Sequence, residues 1–166
     1  MDKRLKIYLD TSVPNFLFAD DSPEKMEVTK ELFENFLRPV VYRSFISPVV
    51  LAEIEETKNF NKKERLLRIF TEFPVEILDY SESEEKEIQE LVDGYLYSKI
   101  IPERKIADAF HIAISVIKRI DYLVSWNYKH LANIQKENRI RIVNLELGYR
   151  HDLRIVTPYE LLDYGN

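Results

Sequence analysis

Residues 6–12 read Lys6-Ile7-Tyr8-Leu9-Asp10-Thr11-Ser12, a short β-prone run that stops at an acid followed by two hydroxyls. Working outward, Pro14 starts a helical turn through Phe18, with Phe16, Leu17 and Phe18 available to pack beneath a sheet. Ser22-Pro23 is a helix-start signal, and the apolar stripe Met26, Leu32, Phe33 and Phe36 carries that helix to about Leu37. Val40 to Ile46 reads as a second strand and Ser47-Pro48 as the cap of the next helix. Asn61 opens a basic helix to about Thr71, and Val75 to Leu78 is a third strand. Ser81 and Glu84 are spaced as a capping box for a helix to about Tyr97. Pro102 to Lys118 holds a longer helix, Tyr122 to Ser125 a fourth strand, and Arg141 to Val143 a fifth. Strands alternating with helices of this length imply an α/β fold, a mostly parallel sheet of about five strands covered on both faces. In such sheets ligands bind at the carboxyl ends of the strands, where Asp10 and Ser125-Trp126-Asn127 fall.

Composition bounds the chemistry. The 166 residues fit one domain spanning 1–166, without repeats or low-complexity linkers. Three glycines and no GxGxxG or GxxxxGK[ST] pattern argue against nucleotide-driven and NAD-dependent chemistry. The absence of cysteine excludes disulfides, thiolate zinc sites and a cysteine nucleophile, and suits a reducing cytoplasm. No signal peptide or membrane span is expected, so a cytoplasmic location with no membrane partner is the default. A net charge of −5 does not suit simple coating of nucleic acid, unless the negative charge is clustered to hold cations that a phosphate then approaches.

Three acids are oddly placed for solvated charges. Asp10 ends the apolar strand, Glu53 lies in Val49-Val50-Leu51-Ala52-Glu53-Ile54, and Asp108 in Ile106-Ala107-Asp108-Ala109-Phe110-His111. Desolvation penalises such carboxylates unless a cation or metal pairs with them. Each has a bland alternative: Asp10 as a helix cap, Glu53 as a first-turn carboxylate favoured by the helix dipole, Asp108 as a cap or a partner of Arg104 or Lys105. Taken together, three acids near sheet-end positions favour one site. Hard divalent cations prefer oxygen ligands, and such a cluster suits phosphodiester hydrolysis.

These segments resemble the PIN domain and, within it, the VapC-type toxins of toxin–antitoxin pairs. The resemblance rests on Ile7-Tyr8-Leu9-Asp10-Thr11-Ser12-Val13, Ser47 to Ile54, Ala107-Asp108-Ala109-Phe110-His111-Ile112-Ala113, and Tyr122-Leu123-Val124-Ser125-Trp126-Asn127. Ile155 to Leu162 is similar to the family's ending, so nearly the whole chain is covered. The resemblance implies a three-layer α/β/α PIN-like fold and a Mg²⁺- or Mn²⁺-dependent ribonuclease. It places the family's metal-binding acids at Asp10, Glu53 and Asp108, with Thr11 or Ser12 as hydroxyl partners. It further implies an RNA substrate, an antitoxin partner and a homodimer. The chain departs from the pattern at Asn127, where many members carry Asp. An amide contributes an oxygen but no charge, so the expectation is one strongly held ion, completed by substrate phosphate.

Other residues carry weaker readings. His111, three residues after Asp108, is either a packed helix residue, the favoured reading, or a hydrogen-bond partner of the acidic site. His130 and His151 belong to no motif, and Trp126 is expected in the core or crevice wall. Lys99, Arg104 and Lys105 are the best candidates for phosphate contacts, and Tyr95 and Tyr97 are minor candidates for an RNA groove. Two further functions remain open. One is a weakened PIN domain serving as an RNA-binding or protein-interaction module, motivated by Asn127. The other is a structure-specific DNA nuclease, disfavoured by the absence of a large helical insertion.

Overall fold

The computed structural model describes residues 1–127 and 133–165. Its elements run β1 (Lys6–Leu9), α1 (Ser12–Asn15), a 3₁₀ turn (Phe16–Phe18), α2 (Pro23–Leu32) and a π-helical turn (Phe33–Leu37). Next come β2 (Arg43–Ile46), α3 (Pro48–Glu55), α4 (Phe60–Glu72), β3 (Val75–Ile77) and α5 (Glu82–Tyr97). A 3₁₀ turn (Glu103–Lys105) leads into α6 (Ile106–Ile117), β4 (Tyr122–Val124), α7 (Ile134–Glu146), β5 (Arg154–Val156) and α8 (Pro158–Gly165). The five strands form one sheet in the order β3-β2-β1-β4-β5, every neighbouring pair parallel.

Successive strand residues point to opposite faces of a sheet. In β1, Ile7, Tyr8 and Leu9 are all fully buried, so both faces of its centre are covered, as an α/β sandwich requires. The helix starts follow local chemistry. Ser47 accepts from the backbone N–H of Val49, and Pro48 occupies the first position of α3, where its missing N–H costs nothing. Ser81 and Glu84 form the reciprocal capping box expected for α5.

Several boundaries and one element differ from the sequence expectation; β3 and β4, for instance, each end one residue early, at Ile77 and Val124. β2 begins at Arg43 rather than Val40, because Val40 turns the chain at φ 57°, a conformation that a β-branched residue adopts only in a turn. α4 begins at Phe60, capped by Asn59, whose side chain accepts from the Lys62 N–H. The larger correction concerns Arg141 to Val143, which is not a strand but the third turn of α7. Asn133 caps that helix by accepting from the N–H groups of Gln135 and Lys136. Gly148, at φ 92°, ends it: the N–H of Gly148 bonds to Leu145 and that of Tyr149 to Asn144, a Schellman pattern. The fifth strand is Arg154–Val156.

Candidate functional site

Strand order reverses between β1 and β4. From β1 the chain fills the sheet toward β3, then returns to lay β4 and β5 on the other side. At such a switch the following loops part and leave a crevice at the carboxyl edge. Asp10 leaves β1 there, and Ser125, Trp126 and Asn127 leave β4 beside it, with the Asp10 N–H donating to the Val124 carbonyl at 3.2 Å.

Two serines join the strand ends. The Ser12 hydroxyl donates to Asp10 Oδ1 at 2.5 Å and accepts from the Trp126 N–H at 3.0 Å. The Ser125 hydroxyl accepts from the Asn127 N–H at 2.9 Å and also bonds to the Asp10 carboxyl. The Ser12 N–H donates to the same Asp10 oxygen at 3.1 Å. Asp10 is 3% exposed, and the hydrogen-bond donors described around it are hydroxyls and a backbone N–H, with no lysine or arginine among them. Burial therefore pushes its carboxyl above the ordinary range. The nearby Asp108 carboxylate adds to that push, while the electrostatic influence of His111 and then the serine hydroxyls work against it.

Glu53 is the sixth of the eight residues of α3. A first-turn role for it is therefore wrong, because near the carboxyl end the helix dipole opposes a negative charge. Other groups hold it. The Thr11 hydroxyl donates to Oε1 at 2.6 Å, and His111 Nε2 lies 2.7 Å from the same oxygen. Burial alone would raise this carboxyl; the hydrogen bonds from His111 and Thr11, with the charge of Lys105, bring it below its ordinary range. His111 is thus both packed, at 1% exposure, and bonded to an acid of the candidate site. Its Nδ1 lies 2.6 Å from the Tyr8 hydroxyl, which in turn lies 2.6 Å from Ser47 Oγ.

Asp108 is the third residue of α6, where the helix dipole favours an anion, and the cap position before it belongs to Lys105. Asn127 Nδ2 lies 3.4 Å from its Oδ2, at the long end of a hydrogen bond. Lys136 on α7 faces Asp108: burial lowers its ammonium pKa and the Asp108 charge opposes that. Lys136 is not conspicuous in the sequence, because it sits in the first turn of a helix whose Arg141 to Val143 stretch has the composition of a strand.

The proposed phosphate contacts divide. Lys105 lies within electrostatic reach of Glu53. Arg104 and Glu53 share the lining of a groove of about 510 Å³, walled by Val49, Ile106 and Phe110. Lys99 is exposed on the α5–α6 connection and has no contact with the three acids among the described residues. Tyr95 is not a groove residue: it is fully buried, and its hydroxyl bonds to Asn144. Tyr97 is 91% exposed. Trp126 lies in the core, its indole N–H donating to Thr29 at 2.9 Å and its ring edge-on to Tyr159. His130 lies outside the described residues, and His151 bonds to the Ile120 carbonyl, away from the acids.

Among the described residues, no three His, Asp or Glu side chains converge closely enough to encage an ion on their own. That is compatible with Mg²⁺, which keeps several waters and binds through one or two carboxylates. A buried carboxylate held by neutral donors, with a second carboxylate near enough to repel it, is a donor set that a hard cation would relieve.

Among the described residues no helix is long and apolar enough to cross a membrane. No curated protein sequence matches the chain. Solved structures that share its fold include VapBC2 from Rickettsia felis bound to a DNA fragment from its promoter, and VapBC-1 from nontypeable Haemophilus influenzae. The first is 18% identical, with a TM-score of 0.57, over 92% of this chain and 98% of the other. The second is 17% identical, with a TM-score of 0.55, over 93% and 99%. The PIN domain family model matches residues 7–147, a span that holds all five candidate residues Asp10, Glu53, Asp108, His111 and Asn127, and on that match the chain belongs to the PIN domain family.

Proposed function

We propose that the chain is a Mg²⁺- or Mn²⁺-dependent endoribonuclease that hydrolyses RNA phosphodiester bonds, with Asp10, Glu53, Asp108 and Asn127 as its site. The observation that carries this reading is Asp10, a buried carboxylate at the switch point whose burial outweighs the serine hydroxyls and the influence of His111, with Asp108 within repulsive range. When bound, a divalent cation supplies charge for the phosphate and lowers the pKa of a coordinated water. The chain's own contribution is to place the ligands and the positive charge. Ser12 and Ser125 fix Asp10, Thr11 and His111 fix Glu53, and Asn127 sits beside Asp108. Arg104, Lys105 and Lys136 flank the acids and supply phosphate contacts, which steer RNA toward a protein of net charge −5.

Both solved neighbours are VapBC assemblies, and this supports reading the chain as the toxin of a type II toxin–antitoxin pair, held in check by a partner protein in the cytoplasm. The homodimer belongs to the same proposal, and light scattering on the purified chain tests it.

A second reading, a weakened domain that binds RNA without cutting it, is favoured by one residue only: Asn127, which places no charge beside Asp108. One experiment separates the two. Wild type and Asp10→Asn are incubated with structured and single-stranded RNA in Mg²⁺, Mn²⁺ or EDTA. The expected result is cleavage that needs metal and is lost in the variant. RNA binding without cleavage under every condition would reject the nuclease and leave the binding module.

A further inference from the structure

Beneath Glu53 lies a row of buried polar side chains that the acidic site does not itself require. Tyr8 and Ser47 are fully buried and His111 nearly so, and they come from three separate elements: β1, the cap of α3, and α6. Buried polar groups at such positions are costly unless each finds a partner, and here each does.

The proton arrangement follows from the acceptors. A carboxylate oxygen only accepts, so His111 Nε2 carries the proton that bonds to Glu53 Oε1. In the neutral ring with that tautomer Nδ1 accepts, and the Tyr8 hydroxyl donates to it. The Tyr8 oxygen then accepts from the Ser47 hydroxyl, while Ser47 Oγ accepts from the Val49 N–H at 3.2 Å. The chain begins at the cap of α3 and ends at a side chain of the same helix. Its direction is set from the carboxylate end, where Glu53 only accepts.

This arrangement occupies one oxygen of Glu53 completely, because Thr11 donates to Oε1 as well. Oε2 accepts no hydrogen bond among the described residues, and the side chain is 34% exposed. We propose that Tyr8, Ser47 and His111 are positioning residues, whose hydrogen-bond chain ties down Oε1 of Glu53 and leaves Oε2 as the single oxygen it offers to a divalent cation. The inference rests on the reading of Glu53 as a metal-binding carboxylate. A glutamate has three rotatable side-chain bonds, and near the end of α3 the dipole disfavours its charge. Without the chain the carboxylate would sample several orientations, and a cation would have to select one of them.

The test uses the full chain as wild type, Tyr8→Phe, His111→Phe and His111→Gln. Mn²⁺ binding is followed by calorimetry, the imidazole of His111 by nitrogen-15 NMR, and folding by thermal melts. In the wild type, His111 should show a protonated Nε2 and a hydrogen-bonded, unprotonated Nδ1; Tyr8→Phe should remove the bonded signature at Nδ1. Mn²⁺ affinity should fall about tenfold in Tyr8→Phe and His111→Phe, a range usual for partners that orient a metal ligand. His111→Gln, whose amide can still donate to Oε1, should recover most of the loss. A purely structural role would lower melting temperatures and leave Mn²⁺ affinity unchanged in the folded variants. Unchanged affinity in Tyr8→Phe and His111→Phe, or a proton found on Nδ1, overturns the inference alone. A wild type that neither binds Mn²⁺ nor cleaves RNA overturns the proposed function, and this inference with it.

Discussion

At the scale of single residues, Asp10 carries the largest conflict between folding and site chemistry. Its carboxyl is buried and its pKa is raised above the ordinary value near 3.9, so the folded state holds its proton more tightly than the unfolded chain does. The sign follows from linkage: stability falls as pH rises from the unfolded pKa to the raised folded one, and above both the penalty is complete. At pH 7 without metal, Asp10→Asn should therefore raise the melting temperature. An increase of roughly 3 °C corresponds to about 1 kcal/mol in a domain of this size. Well below about pH 4 the difference should vanish, because the wild-type side chain is then neutral in both states. A variant no more stable than wild type at pH 7 would contradict the account. Asn127 makes the complementary case. Asn127→Asp places a second charge beside Asp108, so it should destabilise the metal-free protein yet increase the number or tightness of Mn²⁺ ions bound in calorimetry. If neither quantity changed, Asn127 would not belong to the donor set. The positions of these acids were legible in the sequence because a carboxylate between apolar neighbours is conspicuous. The hold on Glu53 was only half legible: His111 stood out by its spacing from Asp108, but its bond to Glu53 joins residues 58 apart.

At the scale of elements, strands β1 to β4 and most helices announced themselves through caps and periodicity, whereas the region after Asn127 did not. Arg141-Ile142-Val143 has the β-branched composition of a strand, but burial there follows Ile140, Val143 and Asn144, with Leu147 packed against the core. That spacing of three, four and seven is helical, and tertiary packing outweighed local propensity. The true fifth strand has only three residues, too few to establish a period of two. Because β5 lies at the sheet edge, it needs protection from stray pairing. Glu137 of α7 provides it, accepting from the outward Ile155 N–H at 3.0 Å while pairing with Arg154 and Arg141. Glu137→Ala leaves that N–H without its acceptor and should cost about 1–3 kcal/mol. Glu137→Gln, which keeps an acceptor oxygen, should cost clearly less. Amide hydrogen exchange provides the check: Ile155 should exchange much faster in the alanine variant than in the glutamine variant. Equal protection in both would mean that Glu137 does not seal the edge.

At the scale of the whole molecule, a surplus of five negative charges and a crevice edged by carboxylates mean that the free protein carries unfavourable charge that a bound divalent ion would relieve. A ligand that binds only the folded state stabilises it by RT ln(1 + [L]/Kd), which is about 2.7 kcal/mol at a hundred times Kd. For a domain of this length that corresponds to a rise of roughly 5–10 °C in melting temperature. Mg²⁺ or Mn²⁺ should therefore raise the wild-type melting temperature in a saturable way. Asp10→Asn, although more stable without metal, should respond weakly, so the two melting curves should cross as the ion is added. Sodium chloride at equal ionic strength separates site binding from general screening, because screening acts on the surface surplus and not on a ligand site. If sodium reproduced the whole shift, the negative charge would be only a surface property and the acids would hold no ion. A divalent-specific rise that disappears with Asp10 would tie the molecule's charge balance to one crevice. It would also explain how a chain with this net charge can approach a phosphate backbone, since a bound divalent ion would offset most of the carboxylate charge on that face.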